Sequence, residues 1–183
     1  MDTAYAPATA LDQTTRRLIL LLPAAFLAHD VGEIAGNDEL NRALGDLAGR
    51  FPALADRLAP AFAINRRQMA VAVGVLTAGL SGLSWQAARS GAHSQAVTGY
   101  AAATLLLGGH ILGHVAQAVA LRRYLPGLTG GLVVSLPYSM VVLRRLQRHG
   151  LVDPGTVARA AAAGAVLGVP ALLAVRALGR AVA

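Results

Sequence analysis

Long apolar runs bounded by paired arginines set the rhythm of the chain. The first opens after Arg16 and Arg17 and runs to about Gly36, with polar residues invading its second half. A second follows Arg66 and Arg67, from about Met69 to Ala88, carrying Gly74, Gly79 and Gly82 as small packing positions and Trp85 near its end. A third covers about Val97 to Leu121 and closes on Arg122 and Arg123. A fourth, from about Leu128 to Leu143, is shorter, and its Pro137 predicts a kink or break, because proline supplies no N–H to the helical ladder. A fifth, from about Val157 to Val175, contains Pro170 between Arg159 and Arg176. At about 20 residues per crossing, the pattern predicts an all-α, polytopic transmembrane bundle of about five spans, 17–36, 69–88, 97–121, 128–143 and 157–175, forming a single membrane domain.

Between the first two runs the periodicity changes. Leu40, Leu44, Leu47, Phe51, Leu54 and Leu58 recur at alternating spacings of four and three, with Asp46, Arg50, Asp56 and Arg57 between them. This pattern predicts an amphipathic helix over about 38–60, interrupted near Pro52, lying on the bilayer or capping the bundle from the aqueous side.

Composition agrees with the pattern. Of 183 residues 55% are hydrophobic and 14% charged, and mean hydropathy is +0.54, which places the chain in lipid. Cysteine is absent, so disulfides, thiolate metal sites and cysteine nucleophiles are excluded. The net charge of +7 comes from arginines beside apolar runs; they read as headgroup anchors that attract anionic lipid, not as a nucleic-acid face. The absence of lysine and the abundance of alanine and glycine are a GC-rich bacterial bias, consistent with a cytoplasmic (inner) membrane protein. The N-terminal stretch lacks a basic n-region and a small-residue cleavage site, so the first run is expected to be a retained helix.

Ionisable residues inside the runs carry the chemistry, since each costs about 2.5–3.5 kcal/mol at mid-bilayer by insertion scales and needs a partner or a function. His29 and Glu33 stand four apart on one face of the first run, with Asp30 flanking them and Phe26 one turn before. His110 and His114 repeat that spacing in the third; Gln117 continues their stripe, and Tyr124 would extend it if the helix persists. In a five-span chain the first and third spans cross in the same direction. His29 lies 12 residues beyond Arg17 and His110 lies 13 beyond Val97, each about 18–20 Å along at 1.5 Å per residue, so the pairs can meet at one level.

Three imidazoles and a carboxylate suit Zn²⁺ or non-haem iron, with His29, Glu33, His110 and His114 as ligands and Asp30 as a further ligand, a supporting partner or a general base. A structural polar network and a metal-free proton-handling site fit the same residues, the latter with Asp30 and Glu33 as catalytic acids. Three functional classes therefore stand: a membrane metalloenzyme acting on a lipophilic small molecule, a metal-free acid/base enzyme of cyclase or isomerase type, and a small transporter or accessory subunit. His93 and His149 fall in connections and are expected to be solvated, and Asp153-Pro154 reads as the cap and first turn of the fifth helix. No phosphate-binding glycine loop, nucleophile elbow or H-E-x-x-H zinc motif is present, and the run from Gly127 to Gly131 reads as a loop and close packing before the fourth span.

The stretch from Ala28 to Ile34, then His110 to Gln117, Arg123 to Gly127 and Leu136-Pro137, resembles the HXXEE-motif family of small bacterial membrane proteins over roughly residues 18 to 145. In that family a histidine is followed at the third and fourth positions by two glutamates; here Gly32 stands at the first of these and Glu33 keeps the second. Asp30, two residues from Gly32, faces about 160° away from it on a 3.6-residue helix. The resemblance implies a membrane location and a role for the His and Glu positions.

Overall fold

The computed structural model describes residues 10–50 and 64–182, and every regular element among them is helical. Phe51, Pro52, Leu54, Asp56, Arg57 and Leu58, the second half of the expected amphipathic connection, lie outside the described residues, as do the side chains of Pro170 and Arg176.

The first apolar run is two helices in line, α1 (Gln13–Leu20) and α2 (Leu22–Ala35). Asp12 starts α1 by accepting the Thr15 N–H at 3.0 Å. The joint at Leu21 precedes Pro23, which has no N–H to give. The Tyr138 hydroxyl donates to the Leu18 carbonyl near this joint at 2.9 Å, and the Tyr100 hydroxyl lies 2.5 Å from that of Tyr138. Arg16 and Arg17 belong to α1 and do not precede it.

Helix α3 (Asn37–Arg50) follows; of the leucines at four-and-three spacing Leu40 is buried and Leu44 and Leu47 are half-buried, and Ala43 beside them is buried. Next come α4 (Arg66–Arg89), opened by a capping box between Asn65 and Gln68, and α5 (Gln95–Leu121), capped by Ser94. Gln13–Ala35, α4 and α5 are each long and apolar enough to cross a membrane. Trp85 is exposed near the end of α4, with the Arg89 guanidinium 4.7 Å over its ring, an arrangement suited to a headgroup boundary.

Helix is continuous over 128–148, comprising α6 (Leu128–Gly130), a π-helical segment (Gly131–Ser135) and α7 (Leu136–Arg148). The disturbance expected at Pro137 takes the form of this π segment: the Leu136 N–H donates to Gly131 O, five residues back, just before the residue that cannot donate. Helix α8 (Pro154–Val182) completes the chain; its first turn is capped by Asp153, whose carboxylate accepts the Thr156 N–H at 2.5 Å. Hydrogen bonding from Thr156, by its side chain and then by its backbone N–H, holds the Asp153 carboxyl below the usual carboxylate range.

Helix α2 packs on α4 and on the π segment; α5 packs on α4, α7 and α8. One buried apolar cluster joins Ile19, Leu22, Val97, Tyr100, Ile111 and Leu146. A second joins Leu40, Ile64, Met69 and Val73. Phe26 touches both, and the ionisable residues of α2 and α5 sit beside it.

Candidate metal centre

Helical spacing alone brings His29 and Glu33 together: His29 Nε2 lies 3.1 Å from Glu33 Oε1 across one turn of α2. Helix α5 then adds its own pair. His114 Nε2 reaches the same Glu33 oxygen at 2.9 Å, and His110 Nε2 lies 3.2 Å from His29 Nε2. The three imidazoles meet edge to face, with centroids 4.6–5.1 Å apart. The two helices therefore do meet at one level, as their equal depths predict.

Glycines make this approach possible. The loop after α5 turns beneath α2, burying Leu125, Pro126 and Gly127. A Cβ on Gly32 would lie 2.7 Å from the Gly127 backbone, and one on Gly36 would meet the Pro126 ring. Gly127 itself has φ +84°, a left-handed conformation in which glycine carries no Cβ penalty. Its carbonyl accepts a hydrogen bond from His29 Nδ1 at 3.0 Å. Gly131, in the π segment, is also close-packed: a Cβ there would lie 2.9 Å from Ile111 Cδ1 and 3.2 Å from His29 Nδ1. The residue that replaces the motif's first glutamate is thus the floor on which the His29-orienting loop rests.

The hydrogen bonds assign protons. A carbonyl only accepts, so Nδ1 of His29 carries a hydrogen, and in the neutral ring Nε2 presents its lone pair. That lone pair faces Glu33 Oε1, itself an acceptor when ionised, at 3.1 Å. Two lone pairs at this distance repel unless a cation stands between them, whether a proton or a metal ion. His114 donates to Glu33 through Nε2, which leaves its Nδ1 buried without a partner among the described residues.

The donor set fits a metal ion on distance. All four ligand atoms lie within 4.8 Å of one another. A tetrahedral site with bonds of about 2.0–2.1 Å has donor atoms about 3.3–3.4 Å apart, close to the 2.9, 3.1 and 3.2 Å separations found here. The bond from His29 Nδ1 to Gly127 also matches how proteins orient a ligating imidazole through its other nitrogen.

His29, Glu33 and His114 are buried, whereas His110 keeps exposure and lines a pocket of about 330 Å³ between α2, α4 and α5. Asp30 lines it too, 6% exposed, with Oδ2 buried and without a hydrogen-bond partner among the described residues. Asp30 is therefore at the pocket wall and outside the group of four. Glu33 lines it as well, and the remaining walls are apolar, among them Phe26, Leu76 and Leu107. His93 and His149 are exposed, as their loop positions predict. Tyr124 does not extend the His110 stripe: α5 ends at Leu121, Arg122 turns left-handed, and the exposed Tyr124 hydroxyl pairs with Thr129 at 3.1 Å. The Gly127 carbonyl is the contributor that sequence reasoning missed, since a backbone oxygen has no residue signature beyond the glycine that frees it.

No curated protein and no solved structure matches the chain. The profile of the family described as protein of unknown function with HXXEE motif matches residues 20–142, a stretch containing all four residues of the cluster and the Gly127 turn. With its second motif glutamate in place and its first replaced by a glycine on which the Gly127 loop packs, the chain belongs to the HXXEE family.

Proposed function

We propose that this protein is an integral membrane protein of the bacterial cytoplasmic membrane, crossing it five times, that holds Zn²⁺ or Fe²⁺ on His29, Glu33, His110 and His114 and uses it on a lipophilic small molecule. The observation that carries the reading is the convergence of donor atoms: His29 Nε2 lies 3.1 Å from Glu33 Oε1, His114 Nε2 lies 2.9 Å from the same oxygen, and His110 Nε2 lies 3.2 Å from His29 Nε2. Hydrogen bonding of one carboxylate oxygen to His29 and His114 does not require the third imidazole, His110, beside His29.

A bound divalent ion would supply Lewis acidity and an activated water at this point. The chain's own residues do the rest. Gly127 fixes the tautomer and ring orientation of His29. Glu33 offsets part of the ion's charge, and the apolar pocket walls exclude bulk water and admit an apolar ligand. His110, exposed at the pocket, is the ligand nearest an incoming substrate.

A metal-free acid/base reading draws on one observation, the Glu33 oxygen within hydrogen-bond reach of both His29 and His114, a geometry that also suits proton exchange. Cobalt separates the two. Adding Co²⁺ to the detergent-purified protein is expected to produce visible absorption bands of a nitrogen- and oxygen-ligated ion, and these are expected to vanish in His114→Ala. A spectrum identical to that of free Co²⁺ in both proteins supports the acid/base reading.

A further inference from the structure

The residues lining the pocket between α2, α4 and α5 fall into levels one helical turn apart. Leu22 and Phe26 on α2, Leu80 and Leu76 on α4, and Ala103 and Leu107 on α5 are each separated by four residues, about 6 Å at 1.5 Å per residue. Helix α4 runs antiparallel to α2, since its first residue, Arg66, donates to the Ala35 carbonyl at the end of α2. Leu22, Leu80 and Ala103 therefore share the far level, and Phe26, Leu76 and Leu107 the middle one. Among the described residues every polar member of the lining, Asp30, Glu33 and His110, lies toward the opposite end, at the histidine cluster.

The pocket is long for its volume. Leu22 to Glu33 on α2 and Leu80 to Met69 on α4 each cover about 16 Å of helix. Spread along that length, about 330 Å³ leaves a section of about 20 Å². An aliphatic chain in contact with its neighbours is about 4–4.5 Å across, so one fits this section, and two chains side by side or a fused ring system do not. Both ends are bounded: Leu22 is fully buried at the far end, and Leu40 of α3 packs with Met69 and Val73 at the polar end. Between them Phe26, Leu76, Leu80 and Ala103 are half-buried, so each keeps surface that a ligand can touch. A chain with bonds of about 1.52 Å at about 111° advances about 1.25 Å per carbon, which makes the pocket about 12 carbons long.

We propose that this pocket is a chain-length ruler: it takes a single aliphatic chain of about 12 carbons, its polar or reacting end at His110 and its terminal methyl at Leu80 and Ala103. The assignment rests on the proposed function in one respect, that the cluster is the reacting end; the length is set by apolar residues on three helices.

Photo-crosslinking of the full chain in nanodiscs tests it, using octan-1-ol and dodecan-1-ol that each carry a diazirine on the penultimate carbon. Labelled residues are read by mass spectrometry, and Fe and Zn are measured in the same samples. Four carbons advance about 5 Å, close to one helical turn. The octyl probe is therefore expected to label Phe26 and Leu76, and the dodecyl probe Leu80 and Ala103. Ala103→Trp, which fills the far level, is expected to cut dodecyl labelling about tenfold and to leave octyl labelling unchanged, the latter showing that the variant is folded. Labelling of the same residues by both probes, dodecyl labelling that survives Ala103→Trp, or label confined to exposed residues such as Val75 and Leu105 overturns the proposal. Labels that shift with chain length in protein that binds no metal would uphold the ruler and remove the metal centre, so the two readings fail separately.

Discussion

Gly127 O and His29 Nδ1 are joined by a 3.0 Å hydrogen bond across 98 residues of sequence, and this bond sets which nitrogen of His29 faces the cluster. A methyl group at Gly127 would meet Glu33 Cγ and the His29 ring at 2.9 Å, on a backbone already at φ +84°. Gly127→Ala is expected to destabilise the fold by about 1–3 kcal/mol and to weaken metal binding about 10- to 100-fold. Thermal unfolding and competitive chelation measure the two effects.

Gly32→Glu restores the family motif and is expected to harm the protein. Its Cβ would lie 2.7 Å from the Gly127 Cα and N, both backbone atoms that cannot swing aside. The variant is expected to melt at a lower temperature than wild type and to bind less metal. A variant with unchanged melting and higher metal content would show that the loop yields without cost.

Tyr138→Phe is expected to lower stability by about 1–3 kcal/mol, because it leaves the buried Tyr100 hydroxyl without its partner, while the Leu18 carbonyl keeps the Leu21 N–H. Denaturation in mixed micelles reads this, with metal content unchanged.

Acid is expected to loosen the α1 end. The Asp12 carboxyl is held well below the usual carboxylate range by hydrogen bonds from Thr15 and by Arg145, whose Nη2 lies 3.0 Å away. A pKa depressed on folding means stability that is present above the ordinary carboxylate range and is lost as the pH falls through it and below. Wild type is expected to lose melting temperature on acidification, and Asp12→Asn, which keeps a cap oxygen but has no proton to gain, to lose less.

Much of this architecture is legible in the sequence because its signals are periodic. Apolar runs between arginine pairs mark the helices, and two i, i+4 pairs at equal depth mark the four residues that the structure brings together. What escapes is carried by the backbone. The break at Leu21 and the π segment before Pro137 are responses to missing N–H groups whose exact form depends on the neighbours that absorb them. Gly32 reads in sequence as a missing carboxylate; in three dimensions it is the space that lets Gly127 reach His29. Asp30 is visible as an ionisable residue beside His29, but its place on the pocket wall follows from where α4 packs.

Metal content tests the central claim most directly. Elemental analysis of protein purified without chelators, and again after anaerobic loading with Fe²⁺ or Zn²⁺, is expected to find close to one ion per chain in wild type, with a sharp drop in both His110→Ala and Glu33→Gln and no change in His93→Ala. Wild type that stays empty after loading, or metal retained in full by both cluster variants, would contradict the account.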